Sequence, residues 1–265
     1  MVGRPESKRK ALWTAGGTVL VLAVWTLAAR AVGSELILPS PLAVFRSLLF
    51  LSFSAKFLPA VLGSMARVAL SLSLAVPAAL AVGLLAGLDS RFRAFVKPFF
   101  AIVGATPVLS IILIALLWFG QEGTPVFAAF LMVFPVAAQS VIAGVASADT
   151  RLLEACEAYG LTRIERIRHL YLPSLTPYLL AGFRSGLSLC WKVVVAAEVL
   201  AQPARSLGAR MQSAKAQLET TELFAWTAAT VILAAATDGL FAVVLRAGSR
   251  HGIVPPAFKG ARDAA

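Results

Sequence analysis

The side chains with the most chemistry in this sequence lie in one charged passage, EACEAYGLTRIERIRHLYLPSLTP, residues 154–177. Its glutamates and arginines can form ion pairs and directional hydrogen bonds with another protein. They do not form a catalytic set, because the sequence has only two histidines, His169 and His251, and no Ser/His/Asp combination or carboxylate cluster stands in the apolar segments. The residues therefore predict binding rather than catalysis, with no metal or cofactor site in this chain.

The composition around this passage is that of an integral membrane protein. Of the 265 residues, 59% are hydrophobic and 14% are charged, and the mean hydropathy is +0.83. A soluble domain of this length is far less apolar. The net charge of +11 does not indicate a nucleic-acid partner, because the basic residues stand at the ends of the apolar segments rather than on one soluble face.

Apolar runs of about 20 residues are long enough to cross a bilayer, and they predict an all-α fold with about six membrane-spanning helices. The last two spans hold internal charges, which a spanning helix tolerates when they are paired or face the protein interior. Glycine and proline in FGQEGTP, between the third and fourth spans, predict a tight turn and an antiparallel hairpin. The predicted spans are 11–29, 68–88, 98–121, 123–148, 178–200 and 223–245.

The basic residues also predict the orientation. With the N-terminus in the cytoplasm, most lysines and arginines outside the spans lie on the cytoplasmic side, as the positive-inside rule requires. This predicts a multi-pass protein of the cell inner membrane with both termini in the cytoplasm. The segments are then a cytoplasmic N-terminus (1–10), a first span (11–29), a periplasmic or interfacial segment (30–67), a core of five spans (68–248) and a cytoplasmic tail (249–265).

Two of these segments have competing interpretations. The first span follows a basic stretch, like a signal peptide, but its uncharged run exceeds the usual apolar region of about 7–15 residues, so we expect a retained membrane helix. The segment 30–67 fits either a short helix lying at the outer interface or a plain packed loop. Both interpretations of that segment stay open at the level of sequence.

The charged loop, residues 149–173, is too polar to cross the bilayer and too regular for a flexible linker. It predicts two short helices separated at Gly160, because glycine permits the positive φ that ends a helix. Thr162 and Glu165 have the spacing of a capping box at the start of the second helix. The apolar stripe expected on that helix comprises Ile164, Ile167, Leu170 and Tyr171, and Pro173 is expected to stop it.

Two functions fit a helix–turn–helix anchored at both ends to spanning helices. It can insert into a groove on a cytoplasmic partner, with small residues for close approach and charged residues for directional pairing. It can also rest on anionic lipid headgroups through its arginines.

The motif in this loop resembles a known signature. EACEAYG followed by LYLP resembles the EAA signature of ATP-binding-cassette (ABC) importer permeases, whose pattern is E-A-A-x3-G-x9-I-x-L-P. Cys156 replaces the second alanine and Leu170 replaces the isoleucine. The matching residues are Glu154, Ala155, Gly160, Leu172 and Pro173.

Three further stretches narrow the resemblance. LPSP (38–41), GATPVLSIILIALLWFG (104–120) and GFRSGLSLCWKVVVAAEVL (182–200) resemble the permeases of nitrate, sulfonate, taurine and bicarbonate importers. That group also includes importers proposed for thiamine precursors and riboflavin-like molecules. The substrate itself stays open.

The resemblance implies a type I ABC importer permease, a non-catalytic subunit that forms the path for a small solute delivered by an external binding protein. The loop is then the coupling helix that docks on a separate ATPase, which carries ATP and Mg; this chain has no G-x4-G-K-[ST] phosphate loop. The implied partners are two ATPase subunits, a second permease that is expected to be another copy of this chain, the binding protein and membrane lipid. The implied coupling residues are Glu154, Ala155, Cys156, Glu157, Gly160, Arg163, Leu172 and Pro173.

Charges inside the predicted spans are candidates for the translocation path or its gate, because they are expensive in lipid. Arg184 and Asp238 lie at similar depth, so they either pair with each other or contact the permeating solute. Lys192 is the stronger path candidate, although a lysine can also extend to the interface. Trp191 and Glu198 match a W…E pattern of the resembling family, which leaves a gate, a structural role or, for Glu198, a simple interface position.

An autonomous secondary transporter is the alternative function, since it also needs charges within its spans. Such transporters often contain internal repeats. No convincing repeat is visible here.

Overall fold

The computed structural model describes residues 5–148, 150–166 and 170–250, and the regular elements in these ranges are helices. The predicted all-α fold is confirmed. In chain order the helices are α1 (Pro5–Val32), α2 (Pro41–Ser52), α3 (Phe57–Leu88), α4 (Ser90–Ala105), α5 (Val108–Ala146), α6 (Thr150–Ala158), α7 (Arg163–Arg166), α8 (Leu172–Ala201), α9 (Leu207–Ala216) and α10 (Thr220–Arg250).

Within the described residues, five helical segments are long and apolar enough to cross a membrane, compared with about six expected from the sequence. The difference arises because the predicted third and fourth spans share α5, a helical element that is interrupted at Gly120. The five segments are Leu12–Val32, Phe57–Leu88, Val108–Ala146, Ser174–Ala201 and Thr220–Val243.

The interruption of α5 lies inside the predicted turn. Gly120 has φ 61° and ψ −168°, a backbone conformation that glycine adopts without a steric penalty. On either side, Phe119 stacks on Phe127 with ring centroids 4.4 Å apart. Residues eight apart in an unbroken helix lie about 12 Å apart along its axis, so the chain changes direction between the two rings.

The third predicted span is also divided in the structure. Asp89 caps α4 by accepting a hydrogen bond from the Arg91 N–H at 2.8 Å, so this helix begins well before Pro98. It ends at Ala105 because Thr106, with ψ 128°, precedes Pro107, and a residue before proline avoids the helical conformation. The run 98–121 therefore comprises the end of α4 and the first part of α5.

The segment between the first two spans contains the short helix α2 rather than a plain loop. Ser40 caps it, accepting from the Ala43 N–H at 3.2 Å, and Pro41 occupies the first helical position. Proline suits that position because its missing N–H would be unpaired there anyway.

The chain divides into two compact units, and the first comprises residues up to Ala60 together with Arg210–Val231. Within it, the Trp25 indole N–H donates to the Pro39 carbonyl at 3.1 Å. The same indole lies 6.0 Å, centroid to centroid, from the ring of Phe224. Trp25 therefore joins the first span to the segment before α2 and to α10.

The second unit comprises Val61–Ala209 and the chain from Ile232 onward, and it holds the loop and the internal charges predicted from the sequence. Its helices approach closely where one of them carries glycine. A Cβ at Gly83 would lie 2.6 Å from Val141 Cβ, and one at Gly182 would lie 2.5 Å from Ser140 Cβ. Small residues at such contacts are the usual basis of helix packing in membranes. The predicted segment boundaries follow membrane topology rather than these units, and they stay a prediction.

We expect Gly83→Ala to destabilise the protein by about 1–3 kcal/mol, the usual effect of overpacking a tight contact. The reason is that the added methyl would overlap Val141 on α5. The measurement is the midpoint of thermal unfolding of the full chain in mild detergent.

Gly239→Ala is the matched control, because nothing lies within 4 Å of a Cβ built at Gly239 in α10. Alanine there should leave the midpoint unchanged or raise it, since alanine favours helix more than glycine does. Equal effects of the two substitutions would contradict the packing described for α3 and α5.

Candidate functional site

The charged loop forms the helix–turn–helix that its sequence predicts. α6 ends at Ala158, and Gly160 follows with φ 68°. The Thr162 N–H donates to Glu165 Oε2 at 2.8 Å, and the Glu165 N–H donates to Thr162 Oγ1 at 3.3 Å. The capping box is therefore present, and it fixes the direction in which α7 leaves the turn.

The predicted coupling residues lie along this loop. Glu154 and Gly160 are exposed, and Cys156 is half-buried. The backbone places Ala155 and Glu157 in α6, Arg163 at the start of α7, and Leu172 and Pro173 in the first turn of α8.

One expectation for the second helix of the loop is corrected. Pro173 lies in the first turn of α8, which begins at Leu172, instead of ending α7. Of the residues expected in an apolar stripe, Ile164 is 78% exposed and Leu170 is 5% exposed. Ile167 lies outside the described residues, so the stripe stays a prediction.

The exposed surface of the loop is partly apolar. Leu152, Tyr159 and Ile164 all expose more than half of their surface. By contrast, Leu170 and Leu175 are buried, and Leu175 packs with Val141 and Val145 of α5. The loop is thus anchored where α8 starts and presents apolar and charged side chains outward.

A second group of polar residues surrounds Glu198, close to the C-terminal end of α8. Glu198 is fully buried. Its carboxylate accepts from Ser64 Oγ at 2.7 Å, from Arg67 Nη1 at 3.1 Å and from the Gly208 N–H at 3.2 Å. Glu198 is therefore enclosed by protein, while its position relative to the membrane interface stays a prediction.

Arg67 connects this carboxylate to two other parts of the second unit. It donates to the Arg205 carbonyl at 2.8 Å and forms an ion pair with Glu122. Glu122 in turn accepts from the Ala204 N–H at 3.2 Å. The two ion pairs differ in environment, because the side chain of Glu122 is 65% exposed and that of Glu198 is fully buried.

A cavity of about 420 Å³ lies beside this network, and Arg67, Glu122 and Arg205 are among its lining residues. Ser64, Arg67 and Glu122 were not predicted from the sequence, because Ser64 and Arg67 fall in the segment 30–67, outside the predicted spans, and Glu122 falls in the predicted turn. The available signal was the helical spacing of Ser64, Arg67 and Ser71, which places polar residues on one face of the apolar helix α3.

The other residues predicted for the translocation path or its gate occupy three different environments. Arg184 and Asp238 form an ion pair in which Nη2 donates to Oδ2 at 2.7 Å and Nε donates to Oδ1 at 2.9 Å and to Oδ2 at 3.2 Å. Trp191 is buried, and its indole N–H donates to Thr237 Oγ1 at 3.0 Å. Lys192 is exposed. The expected pairing of Arg184 with Asp238 is therefore confirmed.

Comparison with known proteins gives concordant matches. Residues 75–247 match the family described as binding-protein-dependent transport system inner membrane component. The chain is 32% identical over 257 residues to the taurine transport system permease protein TauC of Escherichia coli, covering 94% of this chain and 93% of TauC. It is 24% identical over 229 residues to the putative aliphatic sulfonates transport permease protein SsuC of Bacillus subtilis, covering 86% and 83%.

A solved structure shows the same fold. A chain in the crystal structure of a bacterial alginate ABC transporter, in complex with its alginate pentasaccharide-bound periplasmic protein, superposes with a TM-score of 0.60 at 15% sequence identity. The match covers 95% of this chain and 99% of that chain.

The two ion pairs of Arg67 should differ in their contribution to stability. We expect Arg67→Met to cost about 3–5 kcal/mol, because it leaves the buried Glu198 carboxylate without its cation. Glu122→Gln removes a more exposed pair and should cost at most about 1 kcal/mol. Thermal unfolding of the full chain in mild detergent gives both values.

The double variant Arg67→Met/Glu198→Gln tests this explanation, because the amide at position 198 can still form hydrogen bonds but carries no charge. It should be more stable than Arg67→Met alone. If the double variant is no more stable, or if Glu122→Gln destabilises as much as Arg67→Met, the Glu198 carboxylate is not the group that requires Arg67.

Proposed function

Because the chain belongs to the family of binding-protein-dependent transport system inner membrane components, the permeases of ABC importers, we propose that it forms the membrane path for small aliphatic sulfonates of the taurine type. The permease assignment agrees with the EAA-like passage, the all-helical fold and the multi-pass membrane architecture. The sulfonate substrate is our proposal.

The observation that supports this substrate class most is the extent of the match to the taurine permease. At 32% identity the alignment runs through 94% of this chain, so it includes the spanning helices as well as the loop. A second relative, the putative aliphatic sulfonates permease, matches over 86% of this chain. Both relatives are named for organic molecules that carry a small, permanently charged sulfonate.

The charged loop is well suited to dock on an ATPase. Glu154 is exposed for an ion pair, while Leu152, Tyr159 and Ile164 offer apolar surface to a groove. The Thr162–Glu165 capping box and Gly160 preorganise the turn, which lowers the conformational entropy that docking must overcome.

We propose that ATP binding to two partner ATPases moves this loop and, through it, the spanning helices. Nucleotide can shift the permease between inward and outward states only if the ATPases bind it with different affinity in the two states. The remaining members of the proposed assembly are a second copy of this chain and an external binding protein, with both termini of the chain in the cytoplasm. Family membership removes the case for an autonomous secondary transporter.

The docking assignment predicts that Glu154→Arg and Gly160→Val each reduce ATPase recovery roughly tenfold or more when the tagged full chain is purified from its host in mild detergent. The first substitution reverses an exposed charge in the loop. The second places a β-branched residue at φ 68°, a conformation that such residues avoid. The measurements are the amount of co-purified P-loop ATPase and the ATP hydrolysis of the eluate.

Two substitutions serve as matched controls. Glu35→Arg makes the same charge change at an exposed position outside the loop, and Gly160→Asn keeps a residue that tolerates positive φ. Both should retain the ATPase. Full recovery with Glu154→Arg and Gly160→Val, in chains that elute as single species, would refute docking through this loop; a wild-type eluate without ATPase would refute the assembly.

The substrate proposal predicts a specific growth defect. A host that lacks this gene should lose growth on taurine or a short alkanesulfonate as sole sulfur source, grow normally on sulfate, and recover when the full chain is restored. Uptake of radiolabelled taurine should follow the same pattern. Unimpaired sulfonate uptake without the chain, or a defect confined to nitrate or thiamine precursors, would overturn the substrate proposal and leave the permease assignment intact.

A further inference from the structure

One exposed face of α8 carries four polar residues in the middle of a membrane-spanning helix. Its exposed residues between Phe183 and Ala197 recur at helical spacing, and with Ala181 they fall within about 120° of the helix surface at ~100° per residue. The positions between them are mostly buried. The exposed residues are Ala181, Arg184, Ser185, Ser188, Lys192 and Ala196, and we call them the α8 polar face.

This composition is unsuited to lipid. Arg184 has a side chain that is 63% exposed even though it pairs with Asp238, and a charged residue near the middle of a bilayer is costly unless it faces protein or water. Many exposed positions of the other spans carry large apolar side chains, such as Leu113 and Leu117 in α5, and none of those spans has two exposed basic residues on one face within its described residues. The α8 polar face is therefore suited to face protein or water rather than the hydrocarbon.

The two serines of this face add an independent observation. Two serines of other spans donate to their own helix: Ser73 Oγ to the Leu70 carbonyl at 2.8 Å and Ser140 Oγ to the Val136 carbonyl at 3.1 Å. Ser185 and Ser188 have no hydrogen-bond partner within the part of the chain that the structure describes. Their hydroxyls are available to water or to a polar solute.

Lys192 gives the face a net positive charge. Arg184 and Asp238 neutralise each other, and the Glu198 carboxylate is already bound by Ser64, Arg67 and Gly208. No carboxylate of the described residues pairs with Lys192. Lys192 stands nine residues before the end of α8, a distance of about 14 Å at ~1.5 Å per residue. Its side chain is too short to extend to that end of the helix.

We propose that the α8 polar face lines the aqueous translocation path and that Lys192 is the cation that attracts the sulfonate group of the permeating molecule, with the Ser188 hydroxyl one turn away as a hydrogen-bond donor. This inference rests on the proposed function for the identity of the anion. The preference of the translocation path for anions then depends on the charge of Lys192.

Thiol labelling in inverted membrane vesicles that hold the assembled transporter tests this assignment. Ser185→Cys, Ser188→Cys and, as lipid-facing controls, Leu113→Cys and Leu117→Cys are placed singly in a chain with Cys156→Ser and Cys190→Ala. The probes are the water-soluble reagents 2-sulfonatoethyl methanethiosulfonate and its trimethylammonium counterpart. The two serine positions should react with the sulfonate reagent, and the two leucine positions should not.

The effect of the charge is measured at Ser188→Cys. There the rate ratio of sulfonate to trimethylammonium reagent should fall roughly threefold to tenfold when Lys192→Gln is added, because a unit charge within a few ångströms changes the local concentration of ions by such factors. Lys192→Arg should preserve the ratio. Taurine should slow the sulfonate labelling.

Three outcomes separate the alternatives. Unreactive Ser185→Cys and Ser188→Cys would show that this face is packed against protein, and would overturn its place in the path. If the serine-to-cysteine positions react but Lys192→Gln does not change the rate ratio of the two reagents, the proposed role of Lys192 is overturned. If the rate ratio depends on Lys192 but taurine does not slow the labelling, the result would support an anion path and contradict only the proposed substrate.

Discussion

The buried carboxylate of Glu198 is the constraint on which one end of the second unit depends. A carboxylate removed from water is stable only when hydrogen-bond donors and a cation replace its hydration. Here α3 provides Ser64 and Arg67, and the start of α9 provides the N–H of Gly208. Each contact must stay near 3 Å, so α3, the end of α8 and the start of α9 are held in one arrangement. Glycine makes this approach possible, since a Cβ at Gly63 would lie 2.0 Å from the Arg205 carbonyl oxygen.

The free-energy cost of removing a charge from water also distinguishes the roles that the charged residues of the spans can have. Glu198 is fully enclosed and fully paired, which suits a structural role. Arg184 and Asp238 satisfy each other on a half-exposed surface, so they add polarity there without adding net charge. Lys192 is exposed and unpaired within the described residues, which leaves its charge available to a solute. All three charged groups would be unstable in lipid, and the burial and pairing of each one determine which role it can have.

Interactions between near neighbours in sequence were predictable, and most distant ones were not. The Thr162–Glu165 capping box and the positive φ of Gly160 depend on adjacent residues, and both are present. The Arg184–Asp238 pair was also predictable, because equal depth in two spans restricts the partners. Glu198 and Arg67 are 131 positions apart, and their pairing depends on how α3 packs against α8. The division at Thr106 and Pro107 was missed because an uncharged run shows apolar length but not backbone breaks.

The position of α8 connects the three sites along one rigid element. This helix of 30 residues is about 45 Å long at ~1.5 Å per residue. It starts directly after the charged loop, carries Lys192 about 30 Å from that start, and ends at the Glu198 network. If a partner displaces the loop, as proposed above, the continuous helix α8 would carry that displacement to the α8 polar face. Because the Glu198 network ties the far end of α8 to α3 and to the turn before α9, the displacement would reach those elements as well. The proposed docking outside the membrane would in this way change access to the polar face of α8.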